Sequence, residues 1–420
     1  LFSSSALRPF FITDYKATYS HYSVISTISS FEDLKRVIAE DFRWYFSVMD
    51  NEMPAKYLIA KRVEAEPGGW EKLDRLTDSF LKLWRDVREG KEDIRKLEAP
   101  KYSLLDYLSD LVDSWLESCG FCRWNCRVNR KERAGACQLN VESRVASYFH
   151  HKGEELVFRG VNGSGTIFFT SCNMRCAFCQ NGDISKDKDN GVPMDPKRLA
   201  GAMRLLRLEG VHNINLVGGE PTIHLHTIVK AIRELAYNRE VVDEVTLFPK
   251  ADPVYGFRRG NAFYGNELNV PILWNSNFFM SERTMKVLRL LVDIWLPDFK
   301  FGNNRCALRL ARTPWYVETV TANLLKLKEW GEEAVIRHLI MPNHVEDDTF
   351  PVLEWIAKNM PEYWVNIMDQ YHPDSFADPF SPIFDPKYSD IARYPTREEI
   401  EMAYSYARKL GIKFDLVTFL

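Results

Sequence analysis

Three of the eight cysteines fall in the short stretch TSCNMRCAFCQN, at Cys172, Cys176 and Cys179, with the spacing C-x3-C-x2-C. Thiolates grouped this tightly bind metal more readily than they pair. A structural zinc site closes with four ligands, and a [4Fe–4S] cluster ordinarily takes four cysteines, so a set of three raises the question of the fourth position. If the loop holds a [4Fe–4S] cluster, three irons are tied to the protein and the fourth keeps open coordination. Catalytic zinc sites likewise keep one position free for a small molecule. A zinc knuckle with a distant fourth ligand is the alternative.

Upstream, CGFCRWNCRVNRKERAGAC contributes Cys119, Cys122, Cys126 and Cys137 in a C-x2-C-x3-C-x10-C pattern. Four thiolates saturate a metal, either an auxiliary iron–sulfur cluster or a structural zinc. Familiar zinc modules show two C-x2-C pairs and this segment has one, which favours iron–sulfur. The interspersed Arg123, Arg127, Arg130, Lys131 and Arg133 offset anionic thiolates; a phosphate- or RNA-binding loop is the other reading. A cluster here would relay electrons to or from a substrate radical, whereas a zinc would staple the loop. Cys306 stands alone and reads as an inert buried thiol. A third motif, LVGGEP, ends an apolar run with Gly218, Gly219, Glu220 and Pro221. Two glycines let a ligand approach the backbone, and Glu220 with the exposed backbone can accept bonds from an ammonium group. By itself the motif is only a strand-to-helix turn.

The elements that must position these residues are legible. From about Gly165, apolar strands alternate with amphipathic helices: TIFFT (166–170), NINLVG (213–218), VPILWNS (270–276), DIWLPDF (293–299), AVIRHLIM (334–341) and WVNIMDQY (364–371). Near-continuous apolar strands separated by helices indicate a parallel sheet covered on both faces. Six such units give an α/β fold, an open partial (βα)6 barrel of TIM type, with chemistry at the C-terminal ends of the strands. Asp195–Pro196 open one helix, and Thr396 with Glu399 forms a capping box for the last. Residues 1–118 read as a helical N-terminal extension, with Leu73, Leu76, Phe80, Leu83 and Val87, then Leu104, Leu108, Leu111, Trp115 and Leu116, at helical spacing. The expected organisation is that extension, a Cys-rich metal-binding segment 119–164, the barrel 165–372, and a lid-like loop with a C-terminal helix over 373–420. The irregular stretch 371–394 is either a lid or a surface excursion, and 236–268 reads as an insertion.

The chain has 420 residues, 45% hydrophobic and 27% charged, with a net charge of −3. That charge argues neither for nor against nucleic acid. No apolar run reaches the roughly 18 residues of a membrane span. The opening LFSSSALRPFF lacks the pattern of a signal peptide, and clustered cysteines suit a reducing compartment, so the expectation is a cytoplasmic protein.

The three-cysteine loop, with an aromatic residue before its last cysteine, resembles the signature of radical S-adenosylmethionine (SAM) enzymes. One strand later, GGEP resembles the element that holds the SAM amino group. The resemblance implies that a [4Fe–4S] cluster reductively cleaves SAM to methionine and a 5′-deoxyadenosyl radical, which abstracts a substrate hydrogen. It implies that Phe178 meets the adenine, and an electron donor of ferredoxin or flavodoxin type. More narrowly, GSGTIFFTSCNMRCAFCQNGDIS, IWLPDFKFG, IRHLIMPNHV, VNIMDQYHP and YPTREEIEMAYSYARKLG resemble PflX-type proteins, relatives of pyruvate formate-lyase activating enzyme, over roughly 119–415. In that family Asp298, Lys300 and Arg337 would lie near the SAM carboxylate or a bound cation. Asn275 and Ser276 fall at the depth of ribose contacts, but activases carry Asp-Thr there, which weakens a glycyl-radical-activase reading. Asp298 with Lys300 as a structural ion pair, and Arg337 as a partner for a carboxylate in the barrel mouth, are the alternatives. His338, His344 and His372, near strand ends, could relay protons or be ordinary bonded histidines. The substrate classes left open are a glycyl-radical partner protein, a small metabolite or lipid, and RNA. A non-enzymatic iron–sulfur carrier is the reading from a different class.

Overall fold

The structure, a computed structural model, describes residues 28–237 and 261–420. Most of the 236–268 stretch lies outside them. Ten strands are formed: β1 Arg144–His151, β2 Ser164–Phe169, β3 Val192–Pro193, β4 Ile214–Gly218, β5 Phe263–Tyr264, β6 Glu267–Leu268, β7 Ile272–Ser276, β8 Ile294–Pro297, β9 Val335–Leu339 and β10 Trp364–Met368. All six apolar runs become parallel strands. β2, β4, β7 and β8 pair side by side, as do β9 and β10. The bridges Trp295–Ala334 and Asp298–Arg337 carry the series from β8 to β9. The result is an open six-stranded parallel barrel segment with helices outside.

The sheet is mixed rather than purely parallel. β1 runs antiparallel along the free edge of β2, and β3 pairs outside it. The end of the segment 119–164 is therefore part of the barrel sheet. A bulge between Val145 and Ser147 shifts the β1 register, which breaks the two-residue alternation that marks a strand.

The caps follow the sequence. Asp195 accepts from the amides of Lys197 and Arg198 at the head of helix Pro196–Leu208. Thr396 and Glu399 close a capping box on helix Arg397–Leu410, satisfying amides that have no intrahelical partner. Helix Leu73–Arg88 buries Leu73, Leu76, Phe80, Trp84 and Val87, with Trp84 taking the place expected of Leu83.

The N-terminal helices close the barrel at the end away from the chemistry. Trp44 Nε1 and the Lys56 amide both donate to Asp293 Oδ1 at 2.9 Å, just before β8. Asn213, just before β4, donates to Tyr45 Oη at 2.8 Å. The amides of Trp44 and Tyr45 donate to Glu333 at 2.7 and 2.9 Å, just before β9, and Lys56 pairs with buried Glu332 at 2.6 Å. Each anchor lies at a strand's N-terminal end. No described helix is long and apolar enough to cross a membrane.

Candidate active site

A cavity of about 730 Å³ opens at the C-terminal ends of the parallel strands. It is in the size range of small-molecule sites. Its wall includes Cys172, Cys176, Phe178 and Cys179 from the loop after β2, and Gly218, Gly219 and Glu220 after β4. Asn275, Ser276 and Asn277 come from the end of β7, Asp298 and Lys300 follow β8, and Arg337 lies on β9. Every residue assigned to a SAM site in the sequence thus faces one space, except Pro221. Pro221 is buried as the first residue of the turn Pro221–His224, which Glu220 caps through the Thr222 amide, and it is not part of the cavity wall.

The cysteine loop is rooted by backbone bonds. The amide of Ser171 donates to Ile184 O, that of Ala177 to Leu310 O at 2.7 Å, and that of Phe376 to Ala177 O at 3.0 Å. The segment 371–394 therefore braces the outside of the cysteine loop, and none of its residues lines the cavity. Donors converge on the sulfurs: the Met174 amide lies 3.3 Å and Asn277 Nδ2 3.5 Å from Cys172 Sγ, and the Ser185 hydroxyl lies 3.1 Å from Cys179 Sγ. Bonds of this kind stabilise thiolates and tune a bound cluster. Burial pushes the Cys172 thiol well above its usual range and that of Cys176 up to about 12, so metal entry must displace their protons.

The glycines, which line the cavity, also meet a packing demand that the sequence did not show. A Cβ on Gly219 would stand 1.6 Å from the Ser171 carbonyl oxygen, and one on Gly218, at φ +124°, would stand 2.1 Å from the Phe169 amide nitrogen. They let the turn after β4 press against the root of the cysteine loop. Glu220 is correspondingly a tie between strand ends. Its Oε1 accepts from the Thr222 amide, the Thr222 hydroxyl and the Ser276 hydroxyl at 3.1, 2.5 and 2.7 Å, and its Oε2 accepts from the Asn277 amide at 2.9 Å. Those bonds lower the carboxyl pKa, but burial is the larger effect and the net direction is upward. Ser276 likewise spends its hydroxyl on Glu220. Asn275 differs, because its Nδ2 is buried without a hydrogen-bond partner. Orphaned buried donors are rare in folded proteins, and this one sits on a residue of the cavity wall.

Arg337 is already engaged. Its Nε and Nη2 donate to the two oxygens of Glu155, each at 2.6 Å, and Nη2 also meets Glu154. Burial alone would raise the Glu154 carboxyl, but the Arg337 charge and a bond from His151 hold it at about 2. His151, Glu154 and Glu155 come from the end of β1 and the turn after it. Sequence reasoning missed them, although the adjacent acids of HKGEEL were the available signal. Lys300 pairs with Asp298. Burial opposes its charge, yet Asp298 and the nearby Cys176 carry its pKa above the usual range.

The candidate proton-relay histidines lie off the cavity wall. His338 is fully buried between Phe299 O and Thr349 Oγ1 at 2.8 and 2.9 Å, and His372 meets Pro373 O at 3.3 Å. Cys306 is buried, as expected, but it belongs to a cluster with His344 and Asp348.

Ligand spacing separates a single ion from a cluster. Two thiolates on one zinc, each about 2.3 Å from it, stand at most about 4.6 Å apart. Among the described residues, the one group of three His, Cys, Asp or Glu ligand atoms all within 4.8 Å of one another is Cys306, His344 and Asp348. The three loop thiols are more widely spread, as are any three of Cys119, Cys122, Cys126 and Cys137. The carboxylates lining the cavity are all engaged by protein donors. A three-thiol set around a cavity, too wide for one ion, fits a [4Fe–4S] cluster with one open iron.

A family model described as the radical SAM superfamily matches residues 166–356. The uncharacterized protein MJ0674 of Methanocaldococcus jannaschii is 35% identical over 374 residues, covering 88% of this chain and 97% of that protein. Among solved structures, SuiB of Streptococcus suis bound to S-adenosylmethionine matches with 11% identity and a TM-score of 0.38, over 58% of this chain and 48% of SuiB. A domain of pyruvate-formate lyase-activating enzyme from Bacteroides vulgatus matches with 13% identity and a TM-score of 0.26, over 34% of this chain and 80% of that domain. The chain therefore spans about half the length of SuiB. With its motif-bearing strands inside the matched region and its length shared almost completely with the archaeal relative, the chain belongs to the radical SAM superfamily.

Proposed function

We propose that this radical SAM enzyme binds SAM in the cavity, against a [4Fe–4S] cluster held by Cys172, Cys176 and Cys179, and abstracts a hydrogen atom from a substrate admitted beside it. The cluster supplies the electron that cleaves SAM to methionine and a 5′-deoxyadenosyl radical; the protein positions SAM and excludes water. Asn275 Nδ2, the unpartnered donor, offers a bond to a ribose oxygen. Backbone carbonyls of the Gly218–Gly219 turn take the SAM ammonium, because the oxygens of Glu220 are in use. Lys300 meets the SAM carboxylate. Arg337 instead holds Glu154 and Glu155, the role of partner to carboxylates in the barrel mouth. Phe178, whose ring packs against Phe301 and Tyr371 at 6.1 and 6.0 Å, presents an apolar face to the adenine.

The observation that carries this reading is the three-thiol set on the wall of a ligand-sized cavity. An electron carrier has no use for a ligand-sized cavity at its cluster, so the cavity favours an enzyme. The wider motif resemblance supports a PflX-type reading within the superfamily. The Asn275–Ser276 pair, where activases carry Asp-Thr, favours a small molecule over a glycyl-radical partner protein. The four-cysteine segment holds a second iron–sulfur cluster, as its thiols are too far apart for one zinc. The test is anaerobic reconstitution with iron and sulfide, then reduction with SAM present and chromatography for 5′-deoxyadenosine. Product from the unaltered chain and none from Cys176→Ala supports the reading; equal product from the variant overturns it.

A further inference from the structure

The four-cysteine segment touches the three-cysteine loop directly. The Ser171 hydroxyl donates to Cys137 O, Trp124 Nε1 to Asn173 O at 2.6 Å, and Arg175 Nη2 to Ala136 O at 3.3 Å. One side chain stands between the two thiol sets: the Asn173 amide is close enough to the Cys122 sulfur to lower its thiol pKa against the larger effect of burial, its Nδ2 donates to Phe279 O at 3.3 Å, and its Oδ1 lies 3.8 Å from Cys172 Sγ. Two contacts and one amide group separate the sulfurs by on the order of 10 Å.

The segment also faces away from the substrate. No residue before His151 lines the cavity, whereas Cys172 and Asn277, on either side of Asn173 in space, do. A centre at Cys119, Cys122, Cys126 and Cys137 is therefore separated from the substrate by the three-cysteine loop itself. It is suited to exchange electrons with that loop's cluster and unsuited to ligate substrate.

Charge makes the same point. Arg130 is fully buried and donates only to the carbonyls of Asn140, at 3.0 and 2.5 Å, and Ile223, at 2.6 Å. A buried cation without a carboxylate needs an anion nearby, and a tetrathiolate centre supplies one. In return the guanidinium favours the centre's reduced, more negative state. Around it Arg123, Arg127, Lys131 and Arg133 are exposed. Of these, Lys131 shares its charge with Glu117 at 3.3 Å. The chain as a whole is slightly acidic, at −3, so the excess of exposed cations over Glu132 in this segment is a local feature that steers an oppositely charged protein.

Resting on the two-cluster reading above, we propose that the four-cysteine centre is the port of electron entry, docking an acidic one-electron carrier protein on the ridge of Arg123, Arg127 and Arg133 and passing its electron through Asn173 to the three-cysteine centre. One electron leaves the carrier, rests on the four-cysteine centre and moves on. The carrier is oxidised by one electron, the three-cysteine centre is reduced by one, and no proton or bond changes place.

The test uses the reconstituted full chain and a pre-reduced acidic ferredoxin, followed by stopped-flow absorbance and freeze-quench electron paramagnetic resonance (EPR). Photoreduced deazaflavin serves as a small reductant that needs no docking ridge. Arg127→Glu with Arg133→Glu is expected to slow reduction by ferredoxin at least tenfold and to flatten its salt dependence. Reduction by deazaflavin should be unchanged, and Arg127→Lys with Arg133→Lys should restore the rate. In Cys122→Ala/Cys126→Ala, the three-cysteine centre keeps about four irons, is still reduced by deazaflavin, and loses fast reduction by ferredoxin. Equal ferredoxin rates in the charge-reversed and unaltered proteins overturn the proposal, as does zinc in the four-cysteine segment beside an intact three-cysteine cluster; both leave the SAM reading standing. Absence of iron from the three-cysteine loop would instead sink the functional reading.

Discussion

Gly219→Ala tests the geometric core of the site with the addition of one methyl group. The new Cβ would lie 1.6 Å from Ser171 O and 2.5 Å from Ser171 C. Restoring an ordinary contact of about 3.5 Å requires the two backbones to part by roughly 2 Å. Neither is free to yield. The Gly219 amide donates to Phe169 O at 2.7 Å and the Ser171 amide to Ile184 O at 2.8 Å, while the Ser171 hydroxyl holds Cys137 O. Overpacking ordinarily costs about 1–3 kcal/mol, and here both parties are main chain, which puts the cost at or above the top of that range. The displaced residue immediately precedes Cys172, so the thiol set should be misplaced and cluster uptake should fail. The assay is iron and sulfide per chain after reconstitution, with a denaturant midpoint for stability. Gly331→Ala is the control. It also has a positive φ, +67°, but no atom lies within 4 Å of its added Cβ, so it should lose about 1–2 kcal/mol and keep its iron. A Gly219→Ala protein with a full cluster and an unchanged midpoint would refute the argument.

Arg337→Gln leaves Glu154 and Glu155, both nearly buried at 4% and 1% side-chain exposure, without their cation. Breaking buried pairs costs about 3–5 kcal/mol, and with Arg337 partly exposed the lower end, about 3 kcal/mol, is expected in urea unfolding; a loss below 0.5 kcal/mol would contradict the pairing. The His344 imidazole supplies a pH test. Burial opposes its charge and Arg309 Nη2 stands 2.9 Å from its Nε2, but the bond to Asp348 and the nearby Cys306 raise its pKa from 6.5 to about 10. Since the folded value is the higher one, its stabilisation is whole below pH 6.5 and is lost as pH rises through 10, by up to about 1.4 kcal/mol per pH unit. Urea midpoints across that window should fall for the unaltered chain and fall less for His344→Gln; parallel curves would show that the imidazole gains nothing from Asp348.

The six parallel strands and the caps were legible because each depends on residues close in sequence: an apolar run, an Asp-Pro, a Thr-x-x-Glu. The cysteine loop was legible because its three ligands are adjacent. What stayed hidden depends on distant partners. Arg337 and the pair Glu154–Glu155 lie 182 residues or more apart, so the sequence shows an unassigned cation where the structure shows an occupied one. Gly218 and Gly219 advertise a close approach without naming the strand end and the Ser171 backbone beside them. β1 escaped notice because its bulge interrupts the alternation. The N-terminal helices could be read as helices, but Asp293, Asn213 and Glu333 had to be seen to place them beneath the barrel.

Whether one iron at Cys172, Cys176 and Cys179 is left for SAM decides the chemistry. The direct measurement is electron–nuclear double resonance on the reduced protein with SAM carrying a nitrogen-15 amino group. Expected is a nitrogen-15 coupling to the cluster, together with a changed EPR spectrum on SAM addition, both absent in Cys176→Ala. A spectrum indifferent to SAM, with no such coupling, would mean that the protein itself closes the metal site and would contradict the account.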